Sequence, residues 1–179
     1  MAIDNEFDEA HAIAELQKGG HVVYLRHAAR FNGPRDNLDR WSTAAQFADC
    51  QSQRNLTPVG REQARELGIY WRELRIPVER VVASGQCRTR DTAILAFGTT
   101  QIDPRLFDID FVRSLAQEPV PAGTNTVIVG SDAQLRELTG VDLSYAEVAL
   151  LKPDGKGGVT VVARLELADL AEAAEPSWW

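Results

Sequence analysis

From Phe7 to Lys18 the apolar positions recur at helical spacing, with Ile13, Leu16 and several alanines on one face, and the run stops at Gly19-Gly20. That pattern predicts an amphipathic helix with a glycine C-terminus. The period then changes. Val22-Val23-Tyr24-Leu25 is a short unbroken apolar run closed by Arg26-His27, and its β-branched and aromatic content predicts a buried strand with charge at its C-terminal end. Residues 31–54 are mostly polar, with Gly33-Pro34 and several Asp and Asn. They predict a long excursion holding one short helix, and such loops are often functional in compact domains.

Asn55-Leu56-Thr57-Pro58 is a helix start, with Thr57 as N-cap and Pro58 at the first helical position; Ala64, Leu67, Trp71 and Leu74 then share a face before Pro77. Val81-Val82-Ala83 predicts a second strand, handed on through Ser84-Gly85-Gln86-Cys87 to a helix carrying Arg88, Thr92, Ala93 and Leu95. Thr126-Val127-Ile128-Val129-Gly130 repeats the arrangement, followed by Ser131-Asp132 and a helix through Leu135 and Leu138 to Gly140. Last, Val148–Leu151 and Val159–Leu165 flank Asp154-Gly155-Lys156-Gly157-Gly158, a hairpin signal. Strands alternating with helices and closed by a hairpin predict an α/β three-layer sandwich, its central sheet mostly parallel with an antiparallel edge. With no internal repeat and no low-complexity linker, residues 1–179 are expected to form a single domain. The terminal Trp178-Trp179 follows a small, acidic tail, and either docks or stays disordered.

Composition narrows the function. Nineteen Lys and Arg against 26 Asp and Glu leave a net charge of −7, a long-range field of the wrong sign for polyanions, so neither nucleic acid nor an anionic membrane is an expected partner. Three histidines and two separate cysteines, with no Cys-x-x-Cys and no His-Glu-x-x-His, leave no expected metal site and no expected cofactor. No apolar run approaches the length of a membrane span. The acidic start Met1-Ala2-Ile3-Asp4-Asn5-Glu6 is unlike a secretion signal, so a cytoplasmic location is expected, a periplasmic or secreted one being the alternative if a signal has been removed. The sequence leaves oligomeric state open.

The polar residues collect at three strand-to-helix turns: Arg26-His27, Cys87-Arg88 and Ser131-Asp132. Ligands in open α/β sheets bind outside the carboxyl ends of the strands, so these turns can converge and gather Arg26, Arg30 and Arg88 around His27. Guanidiniums held together repel unless an anion lies between them, and their planar forks suit phosphate; helix N-termini at that edge would add backbone donors. Taken singly, each element has a structural explanation. Capping accounts for Thr57-Pro58, a helix-start surface position for Arg88, and the macrodipole for Asp132. The joint arrangement carries the inference.

Leu25-Arg26-His27-Ala28, then Asn55-Leu56-Thr57-Pro58-x-Gly60-Arg61-x-Gln63-Ala64, then Ser84-x-x-x-Arg88-x-x-x-Thr92-Ala93, then Val127-Ile128-Val129-Gly130 resembles the histidine phosphatase superfamily, also called phosphoglycerate mutase-like. The order and spacing agree from about Gly20 to Leu165, and the look is closest to small bacterial members, including those related to lipopolysaccharide heptose phosphatases. The resemblance implies a metal-independent phosphomonoesterase that transfers a phosphoryl group in line to a histidine and then to water, acting on a small phosphorylated metabolite or sugar. His27 matches the nucleophile, and a neutral imidazole suits that role near physiological pH. Arg26 and Arg88 match the phosphate-binding arginines. Arg30 looks like the second arginine of the acid-phosphatase branch, and Asp132 stands where that branch keeps its proton donor. Asp108, Asp110 and Glu118 are a second place to seek that donor, because other branches take it from a loop there.

The chain departs from the pattern at Ser131, where the family has a second histidine; His21 opens the first strand and His11 lies on the first helix. Serine donates a hydrogen bond but no charge, and losing one preorganised donor typically costs about two to three orders of magnitude in rate. The alternatives are a degenerate phosphatase that binds a phosphorylated ligand without hydrolysing it, and a repurposed biosynthetic enzyme using the anion pocket, with Asp132 as general acid or base. Phe31, Trp41 and Phe47 could form an apolar substrate wall or serve packing alone. Cys50 and Cys87 could meet near the phosphate loop. They form either a disulfide worth roughly 3 to 4 kcal/mol or two reduced thiols, the usual intracellular state.

Overall fold

The structure is a computed structural model and describes residues 7–33 and 49–175. Helix α1 (Glu9–Lys18) starts where Asp8 accepts a hydrogen bond from the His11 amide at 2.8 Å, and it buries Ala12, Ile13 and Leu16. Strand β1 (His21–Arg26) has four buried central residues. Helix α2 (Pro58–Glu73) begins at Thr57, whose hydroxyl accepts from the Gly60 amide at 2.9 Å, with Pro58 in the first turn. These two starts follow the capping rule directly. Next come β2 (Arg80–Ala83), α3 (Cys87–Phe97), β3 (Gln101–Ile102), α4 (Ile109–Ala116), β4 (Asn125–Gly130) and α5 (Asp132–Thr139). The hairpin β5 (Val148–Pro153) and β6 (Val159–Leu165) and then α6 (Leu167–Ala174) follow.

The described strands form one sheet in the order β3-β2-β4-β1-β5-β6. β3, β2, β4 and β1 run parallel, while β5 pairs antiparallel with both β1 and β6. The expected mostly parallel sheet with an antiparallel edge hairpin is the one found. Alternation along the strands builds the layers. Val23, Leu25, Val81, Ala83, Val127 and Val129 face a core shared with α1, α2, α3 and α6; Val22, Tyr24, Val82 and Ile128 face a second core shared with α4 and α5. Each fully buried leucine in these cores, such as Leu25 or Leu67, stabilises the fold by about 2 kcal/mol relative to exposure.

Two of the described helices, α4 and α6, lie outside the elements expected from the sequence. α4 is short and set off by an Asp108 cap that accepts from the Asp110 amide at 2.9 Å. α6 lies within the stretch expected to be a tail; a reciprocal cap between Glu166 and Asp169 starts it, and Leu170 buries itself in the first core. β3 is only two exposed residues long, too short for any periodicity. Of the excursion, the described portion holds a short 3-10 turn at Cys50–Ser52. Trp41, Phe47 and Trp178-Trp179 lie outside the described residues, and Phe31 is largely exposed.

Gly60 shows why α2 can begin where it does. A Cβ there would stand 1.9 Å from the Ala29 carbonyl oxygen, so glycine lets the helix start press against the segment that follows β1. The same contact is sealed by the Thr57 amide donating to the Ala29 carbonyl at 3.0 Å.

Candidate active site

The carboxyl ends of β1, β2 and β4 meet at one edge of the sheet. Arg26 stands opposite Gly130 in the parallel register, and the His27 amide continues the ladder by donating to the Gly130 carbonyl at 3.0 Å. All three turns singled out in the sequence therefore converge. They line a cleft of about 250 Å³ that includes Arg26, His27, Arg30, Arg88, Ser131 and Asp132.

His27 is buried, with 2% of its surface exposed, and its Nδ1 lies 2.9 Å from the Ala28 carbonyl oxygen. A carbonyl only accepts, so in the neutral ring the proton sits on Nδ1 and Nε2 keeps its lone pair. Burial holds the ring's pKa down to about 3; the Ala28 contact opposes that, and the charges of Arg88, Arg26 and Arg30 reinforce it. The imidazole is neutral at physiological pH for reasons of placement, which is the state a nitrogen nucleophile needs.

Around it, Arg88 is buried on the first turn of α3. Arg26 is held by its own protein: one terminal nitrogen donates to the Leu143 carbonyl, the other lies 3.7 Å from Asp132, and the guanidinium stacks over the Tyr145 ring at 4.2 Å. Arg30 donates to the Phe31 carbonyl at 3.0 Å and bridges to Leu56. Ser131 caps α5 by position, without a side-chain cap bond, and its carbonyl accepts from the Tyr24 hydroxyl at 2.8 Å. Burial and the Asp132 charge push that phenol well above its usual range, so Tyr24 stays a neutral donor.

Asp132 is the one acidic residue among the described residues lining the cleft. The alternative donors lie elsewhere: Asp108 caps α4, Asp110 pairs with Arg113, and Glu118 pairs with Arg80 at 2.8 Å. None of these three lines the cleft. Among the described residues no group of three His, Cys, Asp or Glu side chains could hold a metal ion. Likewise none of the described helices is long and apolar enough to cross a membrane.

Three contributors escaped the sequence reasoning. Arg54 and Gln86 line the cleft, and Tyr145 braces Arg26 and stands 5.7 Å from the His27 ring. Arg54 had an available signal, since it directly precedes the Asn55-Leu56-Thr57-Pro58 motif. Tyr145 had none. Cys50 and Cys87 form a disulfide, and the Cys87 amide donates to the Gln53 side-chain oxygen at 2.8 Å. The bond thus ties the segment bearing Arg54 to the start of the helix bearing Arg88, and of the two states open to these cysteines in the sequence, the structure has the disulfide.

Residues 37–117 match the family model described as the histidine phosphatase superfamily (branch 1). The match contains Thr57, Gly60 and Arg88 but begins after His27 and ends before Ser131. No curated protein matches. Among solved structures, the protein histidine phosphatase SixA complexed with tungstate is similar at TM-score 0.54 and 15% identity, over 84% of this chain and 99% of that one. A phosphoserine phosphatase variant from Entamoeba histolytica in complex with phosphoserine has TM-score 0.54 and 10% identity, covering 83% and 98%. The Rv3214 protein of Mycobacterium tuberculosis has TM-score 0.51 and 17% identity, covering 80% and 96%. The middle of the chain thus matches the histidine phosphatase superfamily model, and the fold is similar to that of these solved phosphatase structures.

Proposed function

We propose that this protein is a phosphomonoesterase that works through a phosphohistidine at His27 on a small phosphorylated metabolite or sugar. The observation that carries the reading is a buried, neutral His27 in one cleft with Arg26, Arg30, Arg54 and Arg88. In that reading Nε2 of His27 attacks phosphorus in line, the ester P–O bond breaks, and the leaving oxygen takes a proton from Asp132. The arginines stabilise the equatorial oxygens as charge shifts between them. Water, giving one proton back to the Asp132 carboxylate, then attacks phosphorus and breaks the P–N bond, releasing inorganic phosphate and restoring the imidazole. The Cys50–Cys87 bond favours an oxidising compartment, the periplasmic or secreted alternative, over the cytoplasm.

The test is turnover of a panel of phosphate esters from acid to neutral pH, including phosphoserine and a phosphohistidine protein because two similar structures carry those activities in their names. Phosphate release abolished by His27→Ala is expected; no release that depends on His27 overturns the proposal. Ser131 in place of the family's histidine favours a second reading, a phosphate-binding protein without turnover. It predicts a phosphate-induced rise in melting temperature that survives His27→Ala and disappears in Arg88→Ala.

A further inference from the structure

Among the described residues the side chain of Gln86 has one hydrogen bond, a long one. It stands at the cap position of α3 yet makes no side-chain cap bond, while its backbone carbonyl serves that turn by accepting from the Thr89 and Arg90 amides at 3.1 and 3.0 Å. Only 2% of the residue is exposed, and it lines the cleft. Its side-chain oxygen accepts from the Ser131 hydroxyl at 3.5 Å, the long end of hydrogen bonding, and among the described residues its Nε2 donates to nothing. Buried amide protons are ordinarily satisfied. A primary amide and a hydroxyl together carry three donor protons, and their mutual contact uses one whichever group donates. Protons therefore remain for a third acceptor, in a cleft where four arginines gather.

We infer that Gln86 and Ser131 act as a neutral donor pair that holds a phosphoryl oxygen of the substrate, at the position where the family's second histidine would supply a charged donor. This rests on the cleft being a phosphate site, as proposed above. Gln86 is then a substrate-binding residue in its own right, and Ser131 orients it. The pair changes the pH behaviour of the site as well as its contacts. A histidine donor loses its charge near neutrality, whereas an amide and a hydroxyl stay donors throughout that range. Near neutrality the pair therefore adds no ionisation of its own to that of the ligand, which for a phosphate monoester lies near pH 6.

Inorganic phosphate and tungstate are the probes, with affinity measured by calorimetry on the full chain. Gln86→Leu should weaken binding of both about tenfold, the usual effect of losing one hydrogen bond to a charged group. Gln86→Glu, of the same shape, should weaken it further by repulsion. Ser131→Ala should do less alone and add little to Gln86→Leu, because the two act as one unit. Ser131→His should introduce a loss of tungstate affinity as pH rises through about 6.5 that the wild type lacks. Wild-type affinity in folded Gln86→Leu and Gln86→Glu overturns the inference. If at the same time Arg88→Ala abolishes binding, the phosphate-site reading stands and only the donor pair fails. Absence of phosphate and tungstate binding by the wild type overturns both.

Discussion

Acidification should destabilise this protein through His27 specifically. In the unfolded chain a histidine takes up its proton near pH 6.5, but in the folded protein burial delays uptake until about pH 3. Between those values the unfolded state binds the extra proton, so stability is constant above about 6.5 and falls as the pH drops toward 3. Each pH unit is worth about 1.36 kcal/mol. From 6.5 down to pH 5 this single residue should therefore remove about 2 kcal/mol, and down to pH 4 about 3 kcal/mol. Carboxylates titrate over the lower part of that range in any protein, so the measurement is a difference. Urea unfolding of wild type and His27→Gln is followed at pH 7, 6, 5 and 4, and His11 and His21 cancel because both proteins have them. The wild-type stability should fall relative to the variant by about 2 kcal/mol at pH 5. Parallel curves from pH 6.5 to 5 would refute the account of His27 as a ring kept neutral by burial.

Two further outcomes follow from the packing around the cleft. Opening the Cys50–Cys87 bond, by a reductant or by Cys50→Ser, frees a loop with a sequence separation of 37 and should cost about 4 kcal/mol in the chain-entropy model, visible in the urea midpoint. Phosphate affinity should fall with it, because Arg54 loses its tie to α3; an unchanged midpoint and affinity would count against both parts. Gly60→Ala places a methyl group 1.9 Å from the Ala29 carbonyl oxygen and should lower the melting temperature by several degrees, corresponding to about 2 kcal/mol. A melting temperature equal to wild type would show that α2 shifts away without cost.

The elements with dense local signals are legible in the residues themselves. β1, β2 and β4 declare themselves as unbroken apolar runs, and α2 as a threonine cap followed by proline; each begins or ends within a residue or two of its expected place. That the turns after these strands share one edge is legible too, because a parallel sheet leaves its carboxyl ends together. What the sequence conceals depends on contacts distant along the chain. Tyr145 matters only because the fold lays it under Arg26. Gln86 resembles an ordinary loop residue until its burial against Ser131 is known. α6 is only eight residues long and its apolar positions are mostly alanine, and it is anchored where Leu170 enters the first core. The disulfide depends on whether the Cys50 segment folds back, which no spacing decides.

The two sides of the cleft are anchored by different kinds of bonding. β1 and β4 each have a hydrogen-bonded neighbour on both sides, so His27 and Ser131 extend from the interior of the sheet and can be released only by opening that interior. Arg54 sits on a segment outside the sheet, held among the described residues by the bridge between Arg30 and Leu56, by backbone and side-chain hydrogen bonds such as that of Gln53 with the Cys87 amide, and by a covalent link. Local opening costs scale with the contacts broken. By that scaling the amides of β1 and β4 beside His27 and Ser131 should exchange with solvent only on global unfolding, whereas those around Arg54 should need a smaller opening that breaks the contacts of one segment.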